Sequence, residues 1–209
     1  MNKSTPIRYI DHERKFIYWK NPKAACSSIL QIFLDNKIIE GPKTNLHKKQ
    51  KIESVGWMHA CRYYDYFQFS FVRNPWDRFV SLYLDKTQSV IGTKWEMKAW
   101  AKYKDYSFED FVKAIYKTGP NEIDRHSRAQ FLNLNRLNGI NYIGKVENFS
   151  RNITTVSNKI GIDKLEIHKI NSTKNRKPYQ LYYNEETKEI VAEMYKKDIE
   201  LFKYKYVEL

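Results

Sequence analysis

The sequence predicts an α/β fold, with a central, mostly parallel sheet flanked by helices. Three observations carry that expectation. Residues 16–34 run from a short apolar strand through a tight turn into a helical pattern. Residues 67–83 repeat the same order with different residues. A third apolar run, 142–146, follows Gly139 and precedes helical spacing at Ile153, Val156 and Ile160. Strands that alternate with helices pair in parallel, and such sheets bind ligands beyond the carboxyl ends of their strands. A chain of 209 residues is long enough for one domain with a sizeable core. It has no internal repeat and no low-complexity linker, so residues 1–209 are expected to form a single domain.

The elements follow in order. Phe16-Ile17-Tyr18-Trp19 is aromatic and β-branched, as a buried strand requires. Pro22 cannot donate to a ladder and ends it. Ala24, Ala25, Cys26, Ser27 and Ser28 are all small, which leaves the backbone open to a ligand. Ile29, Leu30, Phe33 and Leu34 then recur at helical spacing. Residues 36–56 contain Gly41-Pro42 and the basic run Lys48-Lys49-Gln50-Lys51 and read as a solvated connection. A short helix or turn is expected at 57–65. Phe67, Phe69 and Phe71 alternate with other residues as in a strand. Asn74-Pro75 fits an N-cap and first helical position, with Asp77 at the third. Residues 86–106, rich in Lys, Trp and Tyr without a clean period, read as a surface insertion that could contact an acceptor. Ser107-Phe108-Glu109-Asp110 resembles a capping box, and Gly119-Pro120 ends its helix. A final helix is expected from about Glu185 to Phe202.

The formal charge is 37 − 24 = +13. That excess favours an anionic partner without choosing among nucleotide, nucleic acid, acidic glycan and membrane surface. Two cysteines, Cys26 and Cys61, do not make a disulfide framework. No apolar run approaches the roughly 20 residues that span a bilayer, and Met1–Lys15 lacks a signal-peptide core. A cytoplasmic protein without a transmembrane segment is therefore expected.

A strand, a small-residue loop and a helix N-terminus form an anion site, since backbone N–H groups converge there and the helix dipole adds partial positive charge. Lys23 brings a full charge to the first turn, and Arg73 stands at the exit of the second strand. The first loop is not an ATP-type P-loop, which needs G-x-x-x-x-G-K-[ST]. It has no glycine, and its lysine precedes the small residues.

Asn21-Pro22-Lys23-Ala24-Ala25-Cys26-Ser27-Ser28 resembles the 5′-phosphosulfate loop of sulfotransferases that use 3′-phosphoadenosine 5′-phosphosulfate (PAPS), in the membrane-type carbohydrate branch, sulfotransferase family 2. Phe71-Val72-Arg73-Asn74-Pro75-Trp76-Asp77-Arg78-Phe79-Val80-Ser81 is similar to that family's 3′-phosphate motif, with arginine and serine eight positions apart. Segments 142–147 and 198–204 resemble the family more weakly. The resemblance spans roughly residues 16–204. It implies a P-loop-NTPase-like sulfotransferase fold and transfer of a sulfuryl group to a hydroxyl or amine, with a carbohydrate as the favoured acceptor and no metal. Lys23 would then act on the bridging and 5′-phosphate oxygens. The amides of Ala25, Cys26, Ser27 and Ser28 would cradle the 5′-phosphate, and Arg73 and Ser81 would hold the 3′-phosphate. Arg176 and Lys177, in a basic loop, are further cofactor candidates. His59 is the first choice for general base, followed by His126 and then Glu147.

Two other classes compete with this reading. A nucleic-acid-binding module could use interleaved aromatics and lysines, but the charge is dispersed and no binding motif is present. A nucleotide kinase-like enzyme is disfavoured by the missing Walker pattern.

Overall fold

The computed structural model describes residues 8–40, 63–88, 99–134, 137–162, 165–167 and 176–209. They divide into two compact units. One holds the sheet and includes residues up to Arg73 together with Gln130–Ser172; the other comprises Asn74–Ala129 and Thr173–Leu209.

The first unit is built on four strands, β1 (Arg8–Asp11), β2 (Phe16–Trp19), β3 (Phe67–Val72) and β4 (Tyr142–Lys145), in the order β1-β2-β3-β4. β2–β3 and β3–β4 are parallel, as expected, with Tyr18 opposite Phe69 and Phe71 opposite Gly144. β1 is the exception. It forms an antiparallel hairpin with β2 through a turn in which Arg14 N–H donates to Asp11 Oδ1 at 2.7 Å. The sequence reading assigned no strand there because Arg8-Tyr9-Ile10-Asp11 is too short and polar to alternate clearly.

Helix α1 (Cys26–Asp35) follows β2 and a helix at Phe149–Lys159 follows β4. Phe16 and Tyr18, Phe69 and Phe71, Ile29, Leu30 and Phe33 of α1, and Ile153 and Val156 form one core. β2 is buried along its whole length, which is how an interior strand of a parallel sheet differs from a half-solvated one. On the opposite face, Trp19 Nε1 donates to Gln68 Oε1 at 3.0 Å and Ser70 Oγ donates to the Trp19 carbonyl at 2.7 Å. Polar residues at alternate positions are thus tolerated in a buried sheet because each finds a partner.

The second unit is helical. Its helix α2 (Pro75–Gln88) is capped by Asn74, whose Oδ1 accepts from Trp76 N–H at 3.1 Å. Ser107 caps a helix at Phe108–Thr118 by accepting from Asp110 N–H at 3.1 Å. The long terminal helix expected from the sequence is broken in two, Glu185–Met194 and Lys196–Phe202, at Tyr195 with φ −118° and ψ 23°. Phe79, Phe108, Phe111, Val191 and Tyr195 are buried in this unit. The described ends of the expected surface insertion mix exposed residues with packed ones. Lys86, Trp100 and Tyr103 are buried, and Trp100 stacks on Phe111 with centroids 6.1 Å apart. Residues 89–98 of that insertion lie outside the described residues. Among the described residues, no helix is long and apolar enough to cross a membrane.

Candidate functional site

Both motif turns lie where the sequence placed them, at the carboxyl ends of two neighbouring parallel strands. After β2, Lys20 and Asn21 continue the chain and Ala24 N–H closes a turn onto the Asn21 carbonyl at 3.1 Å. Lys23 (φ 67°) and Ala25 (φ 60°) are left-handed, whereas Ala24 between them is not. A backbone that alternates hand in this way turns successive N–H groups into a concave nest for an anion. Left-handed geometry costs a non-glycine residue roughly 1–2 kcal/mol. Two such residues within three positions is the kind of strain that persists at functional loops.

Ala25 is the N-cap of α1 and offers no side-chain cap to it. The first turn of α1 contains no acidic residue. Its leading N–H groups, on Cys26, Ser27 and Ser28, are therefore directed toward the end of the helix without a carboxylate nearby in sequence. Ser28 is buried and Ser27 half-buried. Cys26 is 8% exposed and its Sγ donates to the Asn21 carbonyl at 2.9 Å. It fills the underside of the loop, as a small packing residue should. Burial, reinforced by the adjacent Cys26 thiol, pushes the Tyr18 phenol well above its ordinary range, so it stays neutral beneath the loop.

Arg73, the residue after β3, is half-buried. Its guanidinium Nη1 donates to the Lys23 carbonyl at 3.4 Å, which brings the two expected basic residues into one place. Its main chain is fixed on both sides by Gln130. Arg73 N–H donates to Gln130 Oε1 at 3.0 Å, and Gln130 Nε2 donates to the Arg73 carbonyl at 2.9 Å. Asn21 Nδ2 reaches both Gln130 Oε1 and the Phe71 carbonyl, each at 3.0 Å. Gln130 has no role assigned from the sequence; it ends a polar stretch, Asp124-Arg125-His126-Ser127-Arg128-Ala129-Gln130. Its only signal there was a glutamine preceding apolar residues, which by itself says nothing.

Ser81, Arg176, Lys177 and His126 belong to the second unit. Ser81 is half-buried two turns into α2. Arg176 is drawn to the first turn of α2, where Nη2 donates to the Asp77 carbonyl at 2.9 Å and pairs with the Asp77 carboxylate. Lys177 is exposed. Arg78 reaches beyond its own helix. It is buried, donates to the carbonyls of His126 at 3.0 Å and Arg128 at 2.9 Å, and so braces the segment that carries His126.

His126 is held by Asp124. The carboxylate accepts from His126 N–H at 2.6 Å and lies 3.0 Å from His126 Nδ1, while Trp100 Nε1 donates to it at 2.8 Å. Burial opposes the Asp124 charge, but the hydrogen bonds and charge of His126 and the Trp100 N–H outweigh it. They hold the carboxyl well below the usual carboxylate range. This arrangement directs Nδ1 at the carboxylate. Glu147 is exposed at the end of β4. His59 lies outside the described residues. Among the described residues, no group of three or more His, Cys, Asp or Glu could hold a metal ion.

The two turns set a nest and a lysine at one strand end and an arginine at the next. No curated protein and no solved structure matches this chain significantly. The sequence profile of the sulfotransferase family matches residues 8–205, which includes both turns, Gln130 and the Asp124–His126 pair. A match over nearly the whole chain, on an α/β fold with a mixed four-stranded sheet flanked by helices, leads to one conclusion: the protein belongs to the sulfotransferase family, sulfotransferase family 2.

Proposed function

We propose that the chain transfers the sulfuryl group of PAPS to a hydroxyl, or an amine, of a carbohydrate acceptor. The observation that carries this reading is the contact between Arg73 and the Lys23 carbonyl. It joins two anion-suited strand ends on one sheet, as a nucleotide with two separate phosphates requires. The residues fit the donor: the nest at 23–25 and the carboxylate-free first turn of α1 suit its 5′-phosphosulfate. PAPS supplies the activated sulfuryl group, and the chain supplies position and charge.

Lys23 neutralises charge on the bridging and 5′-phosphate oxygens. The N–H groups of Ala25, Cys26, Ser27 and Ser28 hold the 5′-phosphate, with help from the two serine hydroxyls. Arg73 and Ser81 hold the 3′-phosphate in the family's spacing, and Arg176 and Lys177 are further cofactor residues. For the general base we favour His126, because Asp124 orients its ring and stabilises the charge it gains on taking a proton. His59, the first choice from sequence, is the alternative. The +13 charge suits an acidic glycan, and no nucleic acid is invoked because the charge is dispersed and no binding motif is present.

Two measurements test this. Ligand linkage raises the melting temperature only for a nucleotide that binds the folded chain. Adenosine 3′,5′-bisphosphate should therefore stabilise the protein more than ATP, and an equal or larger shift with ATP would contradict the reading. For the base, His126→Ala should lower turnover by about 10²–10⁴-fold with bisphosphate binding intact. If His59→Ala does this and His126→Ala does not, the base is His59.

A further inference from the structure

We infer that Gln130 is a positioning residue that locks the two anion turns into one register, so that a nucleotide carrying both phosphates is preferred over one carrying either alone. The inference rests on the bisphosphate reading of the two turns and goes beyond it by naming what sets their spacing.

β2 ends at Trp19, whereas β3 continues to Val72 and its backbone runs on into Arg73. On the edge facing β2, β3 therefore outruns its neighbour, while its other edge stays paired with β4 as far as Val72. The Phe71 carbonyl and the Arg73 N–H and carbonyl are two residues apart along one edge, so they face the same side. The Phe71 carbonyl is met by Asn21 Nδ2 at 3.0 Å, from the chain just past β2. Arg73 is met by the Gln130 amide, which accepts from its N–H at 3.0 Å and donates to its carbonyl at 2.9 Å. A primary amide presents a donor and an acceptor side by side, as a strand residue does, and here it replaces the missing rung.

Gln130 also accepts from Asn21 Nδ2 at 3.0 Å, and Asn133 Nδ2 lies 3.5 Å from Asn21 Oδ1. The Asn21 carbonyl in turn receives Ala24 N–H at 3.1 Å and Cys26 Sγ at 2.9 Å, the two bonds that shape the Lys23 loop. One side chain therefore connects the backbone of the arginine turn to the root of the lysine loop. Gln130 and Asn21 are 0% and 1% exposed, so water does not compete for these bonds. A buried network in which each member is satisfied has one geometry, and losing a member releases the register. A backbone displacement at Arg73 of the order of 1 Å is enough to spoil a two-point clamp.

The test compares Kd by titration calorimetry for adenosine 3′,5′-bisphosphate, adenosine 5′-phosphate and adenosine 3′-phosphate. It uses the full chain, Gln130→Met and Gln130→Glu, with the melting temperature of each protein taken without ligand. Gln130→Met keeps the volume and removes every hydrogen bond. Gln130→Glu keeps the accepted bonds and loses the one donated to the Arg73 carbonyl. The wild type should prefer the bisphosphate to both monophosphates. In Gln130→Met that preference should fall about 5–150-fold, the usual size of a coupling between two sites, while each monophosphate changes little. Gln130→Glu should fall between. A variant with lowered melting temperature but undiminished preference would make Gln130 merely structural and overturn the inference. So would the absence of a cooperative melt in both variants, because the residue would then be required for folding. A wild type without preference for the bisphosphate would remove the underlying reading, and the inference with it, before any variant is compared.

Discussion

Arg73→Ala gives the sharpest perturbation of the proposed clamp, because the structure separates the side chain from its support. The main chain of Arg73 is held by Gln130, so truncation leaves the turn in place. The guanidinium is half-buried and its contact within the turn, with the Lys23 carbonyl at 3.4 Å, is long and weak. A charge-assisted hydrogen bond contributes roughly 1.5–3 kcal/mol, and partial exposure trims the upper end of that range. The expected loss is about ten- to a hundredfold in Kd for adenosine 3′,5′-bisphosphate. At a ligand concentration 100 times the wild-type Kd, binding stabilises the fold by about 2.7 kcal/mol. At the same concentration a hundredfold weaker variant gains only RT ln 2, about 0.4 kcal/mol. For a chain of this length those become melting shifts of roughly 5–11 °C and 1–2 °C, at 2–4 °C per kcal/mol. Thermal denaturation with and without ligand reads both directly. Adenosine 5′-phosphate, which lacks the 3′-phosphate, is the control and should bind both proteins alike. An undiminished bisphosphate shift in Arg73→Ala, or an equal loss with adenosine 5′-phosphate, would refute the assignment.

Asp124→Asn tests the dyad through stability. Because the Asp124 carboxyl is held below its ordinary range, its ionised form favours the folded state. That contribution is complete above the unfolded value, about 4, and is lost progressively as pH falls toward the depressed folded value. Melts across pH should show the wild type above the variant at neutral pH, with the gap closing below about pH 4; a gap independent of pH would contradict the pairing. Gly144→Ala tests the packing that supports Arg73. A Cβ there would meet the Phe71 ring at 2.6 Å, and that ring is fully buried and packs on Phe149 with centroids 5.3 Å apart. Overpacking of this kind costs about 1–3 kcal/mol, so the melting temperature should drop by roughly 2–12 °C. A change under about 1 °C would show that the ring moves freely.

The parts of this molecule that were legible in the sequence are those set by local chemistry. β2 has the bounds its aromatic run indicated, since four consecutive apolar residues ended by Asn-Pro leave little choice. Asn74-Pro75 and Ser107 cap the helices they were expected to cap, because capping depends on neighbours within a turn. Lys23 and Arg73 could be paired only because two motifs occur in one order on one sheet. What escaped was set at long range. β1 has no strand signal of its own and is formed by pairing with β2. Gln130 lies 57 positions from Arg73, and a glutamine in a polar run carries no sign of the carbonyl it will meet. The break at Tyr195 has no Gly or Pro to announce it. Tyr195 is buried, its hydroxyl donates to the Ser127 carbonyl at 2.6 Å, and the Arg78 guanidinium lies over its ring. Tertiary packing there overrides a continuous helical pattern. Asp124 and His126 are two positions apart in sequence, yet the role of the aspartate became visible only with Trp100 and Arg78 around it.

The central claim is that the Lys23 loop and the Arg73 turn serve sulfuryl transfer from PAPS. It is tested most directly by incubating labelled PAPS with a panel of glycans and following label onto the acceptor, with the wild type and Lys23→Ala in parallel. The account predicts transfer by the wild type to at least one glycan. Loss of the Lys23 ammonium should reduce the rate by about 10²–10³-fold, the usual effect of removing one group that stabilises developing charge. Transfer that persists undiminished in Lys23→Ala, or a wild type that neither transfers label nor binds adenosine 3′,5′-bisphosphate, would contradict it.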